Sequence, residues 1–208
     1  SLKGTPRSKA DHRDVRYYQE ASRLDSEGVR KLLKDYEDGD PETIKKFKIH
    51  EEVLEGIIQS LEVINIEHDS FVHESKFLRN GEVSKVVEKF KPFCKREDGA
   101  LYLEINGDNV YLTRRDGTTL YIARDAAYHL DKFRRCDIAL NVLGEDHKLE
   151  SKQLGKMLDL LGERKPLVMF YSFISLPEGM MSTRRGNIVY LDDLVDESIT
   201  RAKDEVKK

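Results

Sequence analysis

Apolar residues recur with a helical period through the first third of the chain. Val29, Leu32, Leu33 and Tyr36 fall at i, i+3, i+4 and i+7, and Asp38-Gly39-Asp40-Pro41 then supplies a stop and a fresh start. Leu54, Ile57, Ile58 and Leu61 repeat the spacing one heptad after Phe47, so a second helix is predicted, and the two are expected to pack as a hairpin. Between Ile64 and His73 the period shortens toward two, which predicts a short strand. Val83, Val86, Val87 and Phe90 predict another short helix, ended by Pro92.

The middle of the chain alternates. Leu101, Leu103 and Ile105, a turn at Asn106-Gly107, a return through Val110 to Thr113, a turn at Asp116-Gly117 and Leu120-Tyr121-Ile122 predict a three-stranded meander. Both dipeptides tolerate positive φ at low cost. Ala123, Ala127 and Leu130 return to a helical period, and Asp137 to Leu143 is an apolar run ending at Gly144. With a helix through Leu154, Met157, Leu158 and Leu161 and a second apolar run from Leu167 to Leu176, the order is strand, helix, strand: one βαβ unit. Gly179 to Gly186 reads as a loop, Ile188 to Leu191 as a short strand. A last helix carries Val195, Ile199, Ala202 and Val206 on one face, with Asp192 or Asp193 available to cap it.

Composition narrows the picture. The 208 residues suit one substantial α/β domain or a core with an insertion, and a multidomain enzyme would not fit. With 36 basic and 39 acidic side chains the net charge is -3, so any contact with a polyanion must be local. Cys94 and Cys136 have no Cys-x-x-Cys or Cys/His partner spacing; a reduced compartment, the cytoplasm by default, and no metal site are expected. No apolar run approaches membrane-helix length, so no membrane partner is expected.

The chemistry concentrates in the second half. Gly144-Glu145-Asp146-His147 follows the first parallel strand, where open α/β sheets bind ligands. Gly144 can let a ligand approach the backbone and Asp146 can accept from a ribose; equally, the segment can be a plain turn and helix start. Ser182, Thr183, Arg184 and Arg185 bring two hydroxyls and two guanidinium groups to one loop, which suits phosphates, or is simply a solvated basic loop.

Gly179-Met180-Met181-Ser182-Thr183-Arg184-Arg185-Gly186-Asn187, followed by Leu191-Asp192-Asp193-Leu194, resembles the second signature loop of class I aminoacyl-tRNA synthetases, in its arginyl branch. Asp116 to Phe133 resembles that branch's arginine-recognition segment, and Asn141 to Glu150 resembles the strand end beside amino acid and ATP. The resemblance implies that Tyr121, Asp125 and His147 contact the substrate arginine, and that Gly144, Asp146, Met181 and Ser182 bind ATP. Ser182, Thr183, Arg184 and Arg185 are implied to be catalytic. The physical sense at Asp125 is that a carboxylate takes a guanidinium through two parallel charge-assisted hydrogen bonds, which an ammonium cannot match. The plainer alternative makes Asp125 a helix-terminus carboxylate and Tyr121 a core aromatic.

The fold implied is α/β: the C-terminal half of a Rossmann-like class I synthetase catalytic domain with a helical hairpin and a small antiparallel β-meander insertion. Residues 1–13 are expected to be disordered or the start of an expression fragment. The segment 14–63 is expected to be helical, 64–191 to be the partial core with the meander at 100–123, and 192–208 to start the following helix. The implied substrates are L-arginine, ATP with Mg²⁺ and tRNA(Arg), with a monomer expected. The His-x-Gly-His signature of class I enzymes is missing: His12, His50, His68, His73, His129 and His147 are scattered. The chain is therefore expected to be an incomplete catalytic domain, inactive alone. The alternatives are a noncatalytic tRNA-binding or regulatory module on the same fold, and a complete small nucleotide-binding domain.

Overall fold

Turn chemistry fixes the first sheet. In a computed structural model, which describes residues 7–21, 25–47, 49–173, 181 and 188–208, strands β1 (Lys95–Glu97), β2 (Ala100–Ile105) and β3 (Asp108–Tyr111) form an antiparallel sheet in the order β1-β2-β3. Asp98-Gly99 and Asn106-Gly107 make its two-residue turns, all four with positive φ, as the twist of a tight hairpin requires. The sheet thus lies one strand earlier than the meander expected at 100–123. The segment expected as its third strand, Leu120 to Ile122, instead begins a helix. Asp116-Gly117 does turn the chain back, but only the bridge Thr113↔Thr119 forms before helical geometry takes over.

The helices before the sheet are α1 (Ala10–Ala21), α2 (Ser26–Glu37), α3 (Pro41–Lys46), α4 (Ile49–Val63), α5 (Glu74–Arg79) and α6 (Glu82–Phe90). After it come α7 (Tyr121–Arg135), β4 (Leu140–Gly144), α8 (Lys148–Leu160), β5 (Leu167–Tyr171) and α9 (Leu191–Val206). β4 and β5 pair in parallel, Leu140 opposite Leu167 and Gly144 opposite Tyr171, with α8 as the crossover. The predicted βαβ unit is therefore present. Asp40 caps α3 by accepting from the Thr43 amide at 2.8 Å, with Pro41 in the first turn, as the Gly39-Asp40-Pro41 signal predicts.

The described residues fall into two units: those within 1–32, 40–71 and 174–208, and those within 33–39 and 72–173. In the first, α1 packs on α4. Two expectations change here. The chain is already helical at Ala10, inside the start expected to be featureless, and α4 pairs with α1 rather than with the helix through Val29. α4 buries Gly56 and Ser60 and leaves Ile57 exposed. The reason is local: Asp11 approaches so closely that a Cβ on residue 56 would lie 2.3 Å from its Oδ1. The strand expected at 64–73 is turn and irregular chain, and residues 188–190 are irregular up to the start of α9.

The second unit holds the main core. The predicted stripe Val83, Val86, Val87 and Phe90 is wholly buried against the inward side chains of β2 and against α7, whose Ala123, Ala126 and Ala127 allow close approach. By contrast Leu140, Val142, Leu167, Met169 and Tyr171, one face of the parallel pair, are each more than half exposed. No helix among the described residues is long and apolar enough to cross a membrane. Phe90, fully buried, is a direct test of this core. Phe90→Ala is expected to lower stability by about 3–5 kcal/mol, measured as the shift of the urea unfolding transition followed by circular dichroism.

Candidate functional site

The turn before α7 is held by a charge inside the protein. Arg124, 9% exposed, donates from Nη2 to Glu37 Oε1 at 2.6 Å, from Nη1 to Glu74, and from Nε to Thr119 Oγ1 at 3.0 Å. Glu37 in turn accepts from the Thr119 amide at 3.0 Å, and Asp116 Oδ1 accepts from the Thr118 amide and hydroxyl at 2.9 and 2.7 Å. A buried guanidinium is tolerated only when its donors meet anions and oxygens. This set satisfies it, and so fixes where α7 begins.

That start places Tyr121 in the first turn of α7, exposed, with the Arg124 guanidinium 5.6 Å from its ring centre. Asp125 follows one turn later, so Tyr121 and Asp125 share a helix face, a consequence of the helix starting at Tyr121, where the sequence reading expected a strand. Asp125 is open to solvent on one side and crowded on the other. Burial, then the like charges of Glu150 and Glu74, raise its carboxyl pKa to about 6, with Lys132 and His147 acting in the opposite direction. A carboxylate among carboxylates is a place where a cation is stabilised.

Behind Asp125 a polar chain ties α7 to β4. His129, buried, faces the Asp125 carbonyl through Nδ1 at 2.7 Å, so that nitrogen donates and Nε2 accepts from Asn141 Nδ2 at 2.8 Å. Asn141 Oδ1 accepts from Lys132 Nζ at 2.8 Å. Burial holds both the His129 imidazole and the Lys132 ammonium below their ordinary ranges. The Asp125 backbone is thereby positioned against the strand that ends at Gly144. His129, Lys132, Asn141 and Arg124 have no role in the sequence expectations; the signal that could have found them is a polar Asn141 within an apolar strand run and an arginine on the inner face of an alanine-rich helix.

At the strand end, Gly144 leads into a 3-10 turn, Glu145–His147, and then α8. Gly144, Asp146 and His147 are thus brought together, and His147 lies near enough to act on Asp125. His147 Nδ1 is 2.9 Å from Glu150 Oε2. The space before the Gly144 Cα is taken by a neighbour: a Cβ there would lie 2.7 Å from Asp146 Oδ1. Of the loop residues, Met181 is exposed, while Ser182, Thr183, Arg184 and Arg185 lie outside the described residues.

A set of metal-ligand type stands apart in the first unit: Asp11, His12 and Asp192 have ligand atoms within 4.8 Å of one another. Lys9 Nζ already lies 3.1 Å from Asp192 Oδ2 and 3.6 Å from Asp11 Oδ2, so an ammonium supplies the positive charge there. Asp192, expected as a helix cap, is instead turned to this cluster; α9 has Tyr190 at its N-cap position without a side-chain cap.

Comparison with known proteins shows the family to which the chain belongs. Residues 11–208 match the family described as tRNA synthetases class I (R), catalytic domain. The chain is 46% identical over 214 residues to the arginine--tRNA ligase of Methanocella arvoryzae, covering 96% of this chain and 38% of that protein. It is 45% identical over 215 residues to the arginine--tRNA ligase of Archaeoglobus fulgidus, covering 99% of this chain and 38% of that protein. Among solved structures, the arginyl-tRNA synthetase of Plasmodium falciparum superposes with a TM-score of 0.69 at 18% identity, over 91% of this chain and 32% of that one. The chain therefore spans well under half the length of these relatives.

Removing the charge under α7 tests its role. Arg124→Met is expected to destabilise the protein by about 3–5 kcal/mol, because the largely buried Glu37 carboxylate keeps its Thr119 hydrogen bonds but loses its counter-ion. Glu74→Gln, at a half-exposed partner, should cost less than about 1 kcal/mol; both are read from urea unfolding.

Proposed function

The chain belongs to the catalytic-domain family of class I tRNA synthetases (R), and from that premise we propose that it carries the amino-acid recognition part of an arginine--tRNA ligase. The observation that carries this reading is Asp125, one helical turn after Tyr121, in surroundings that crowd its negative charge. A guanidinium placed there relieves repulsion from Glu150 and Glu74 and gains two parallel hydrogen bonds, so affinity and specificity come from the same atoms. Tyr121 flanks the cation, and His147 lines the side nearest the strand end.

In the proposed reaction the arginine carboxylate attacks the α-phosphorus of ATP, the bond to pyrophosphate breaks, and arginyl-adenylate forms. The arginyl group then passes to tRNA(Arg) as AMP leaves. ATP is proposed to lie against Gly144, Asp146, Met181 and Ser182. Asp146 would have to swing from the front of Gly144 to reach a ribose. Ser182, Thr183, Arg184 and Arg185 are proposed to neutralise phosphate charge, with Mg²⁺ entering as part of the ATP substrate.

Calorimetric or NMR titration of the chain with L-arginine and L-lysine tests recognition. Arginine is expected to bind at least about 10-fold more tightly than lysine, and Asp125→Asn to remove at least about 10-fold of the arginine affinity. Equal binding of the two amino acids, or parent-like arginine affinity in the Asp125→Asn variant, refutes the assignment.

The pH dependence follows from the same group. Protonation of Asp125 removes the acceptor, so arginine affinity should fall about 10-fold per unit as pH drops below about 6. An unperturbed aspartate would hold its affinity down to about pH 4. For stability the sign is opposite. A carboxyl with a raised folded-state pKa is penalised when ionised, so Asp125→Asn should be at least as stable as the parent at pH 7, read as the thermal midpoint.

A further inference from the structure

Parallel strands are normally buried on both faces, and the β4–β5 pair is covered on one. On the covered face Asn141 Nδ2 lies 2.8 Å from His129 Nε2 of α7, and Lys148 of α8 sits 5.8 Å from the ring centre of Phe170. Side chains alternate along a strand, so Leu140, Val142 and their register partners Leu167 and Met169 point the other way. Ile138, two positions before Leu140, and Tyr171, two after Met169, extend the row. Exposure of these six runs from 55% at Leu140 to 74% at Ile138. Among the described residues each strand pairs only with the other. Exposed strands are ordinarily blunted by charged side chains or proline. In a chain that is 36% charged, β4 and β5 have neither.

A contiguous apolar face of this kind marks an interface. Its size fits one. At about 100 Å² each, roughly half of what a large side chain can bury, the six offer about 600 Å², against roughly 800 Å² per partner in a standard interface. Its charge selects the occupant. A twofold interface sets one patch against itself, so a charge near the centre meets its own copy at close range. A patch without charge carries no such penalty, and a net charge of -3 adds little repulsion at longer range. We infer that a second copy of this chain packs on the open face of β4 and β5. The two sheets lie face to face about 10 Å apart, in a twofold dimer rather than the monomer expected from the sequence. α7, which carries Tyr121 and Asp125, packs on the opposite face through Asn141. The dimer therefore does not rest on the assignment of the recognition site.

Analytical ultracentrifugation of the chain between about 1 and 100 μM is expected to show a monomer–dimer equilibrium. Val142→Lys and Met169→Lys place a like charge on both sides of the contact. Each is expected to weaken the dimer at least about 100-fold while keeping the circular dichroism spectrum of the parent. Mixing the Met169→Lys and Met169→Glu chains should restore a dimer, which general damage to the strand would not allow. If a lysine variant fails to fold, Val142→Thr and Met169→Gln take its place, with at least about 10-fold weakening expected. A parent that stays monomeric throughout overturns the inference, and any cover on this face then comes from elsewhere. A dimer that persists in the folded variants also overturns it, because the contact lies on another surface. Open-ended aggregates without a twofold species rule out the second copy as the specific occupant.

Discussion

A guanidinium cannot be left inside a protein without anions around it, and Arg124 is such a guanidinium. Its partners come from the end of α2, the start of α5 and the turn before α7, so satisfying one charge brings three separate stretches of chain to one point. The first turn of α7 follows from that, and with it the shared face of Tyr121 and Asp125. The His129–Asn141–Lys132 chain then sets this helix against β4. The outer face of α7 that carries Tyr121 and Asp125 is thus held by polar contacts on its inside, and packing of small alanines brings the helix close enough to make them.

What the sequence showed best was whatever depends on near neighbours. The Asn106-Gly107 hairpin, the Asp40 cap, the buried stripe of α6 and the βαβ order all follow from spacing and turn chemistry. The errors lie where a distant contact decides. Leu120 to Ile122 alternates like a strand, but the Arg124 network makes Tyr121 the first residue of a helix. Leu54, Ile57 and Leu61 form an apolar stripe, yet Asp11 pressing on Gly56 turns a different face of α4 inward. Asp192 looks like a cap and is a hydrogen-bond acceptor for residues some 180 positions earlier. The candidate site was legible as a set of positions, Tyr121, Asp125 and the Gly144 to His147 turn. The groups that support it were not, because a buried arginine and a buried histidine have no local signature that separates them from surface ones.

Asp125 also illustrates how a site can work against the fold that carries it. Crowding by Glu150 and Glu74 makes its ionised form costly in the free protein. On the proposed reading the same crowding favours a bound cation, so that arginine rather than a neutral side chain is the fitting occupant. An aspartate kept where it destabilises is more readily understood as a binding group than as a structural one.

The central claim is that the Asp125 carboxylate grips a planar cation. A crystal structure of the chain soaked in L-arginine at pH 7.5 or above tests it most directly. The account predicts two guanidinium nitrogens at roughly 2.7–2.9 Å from the two Asp125 oxygens, beside the Tyr121 ring. Arginine bound elsewhere on the protein, or bound here through its α-amino group with the guanidinium in solvent, would contradict it.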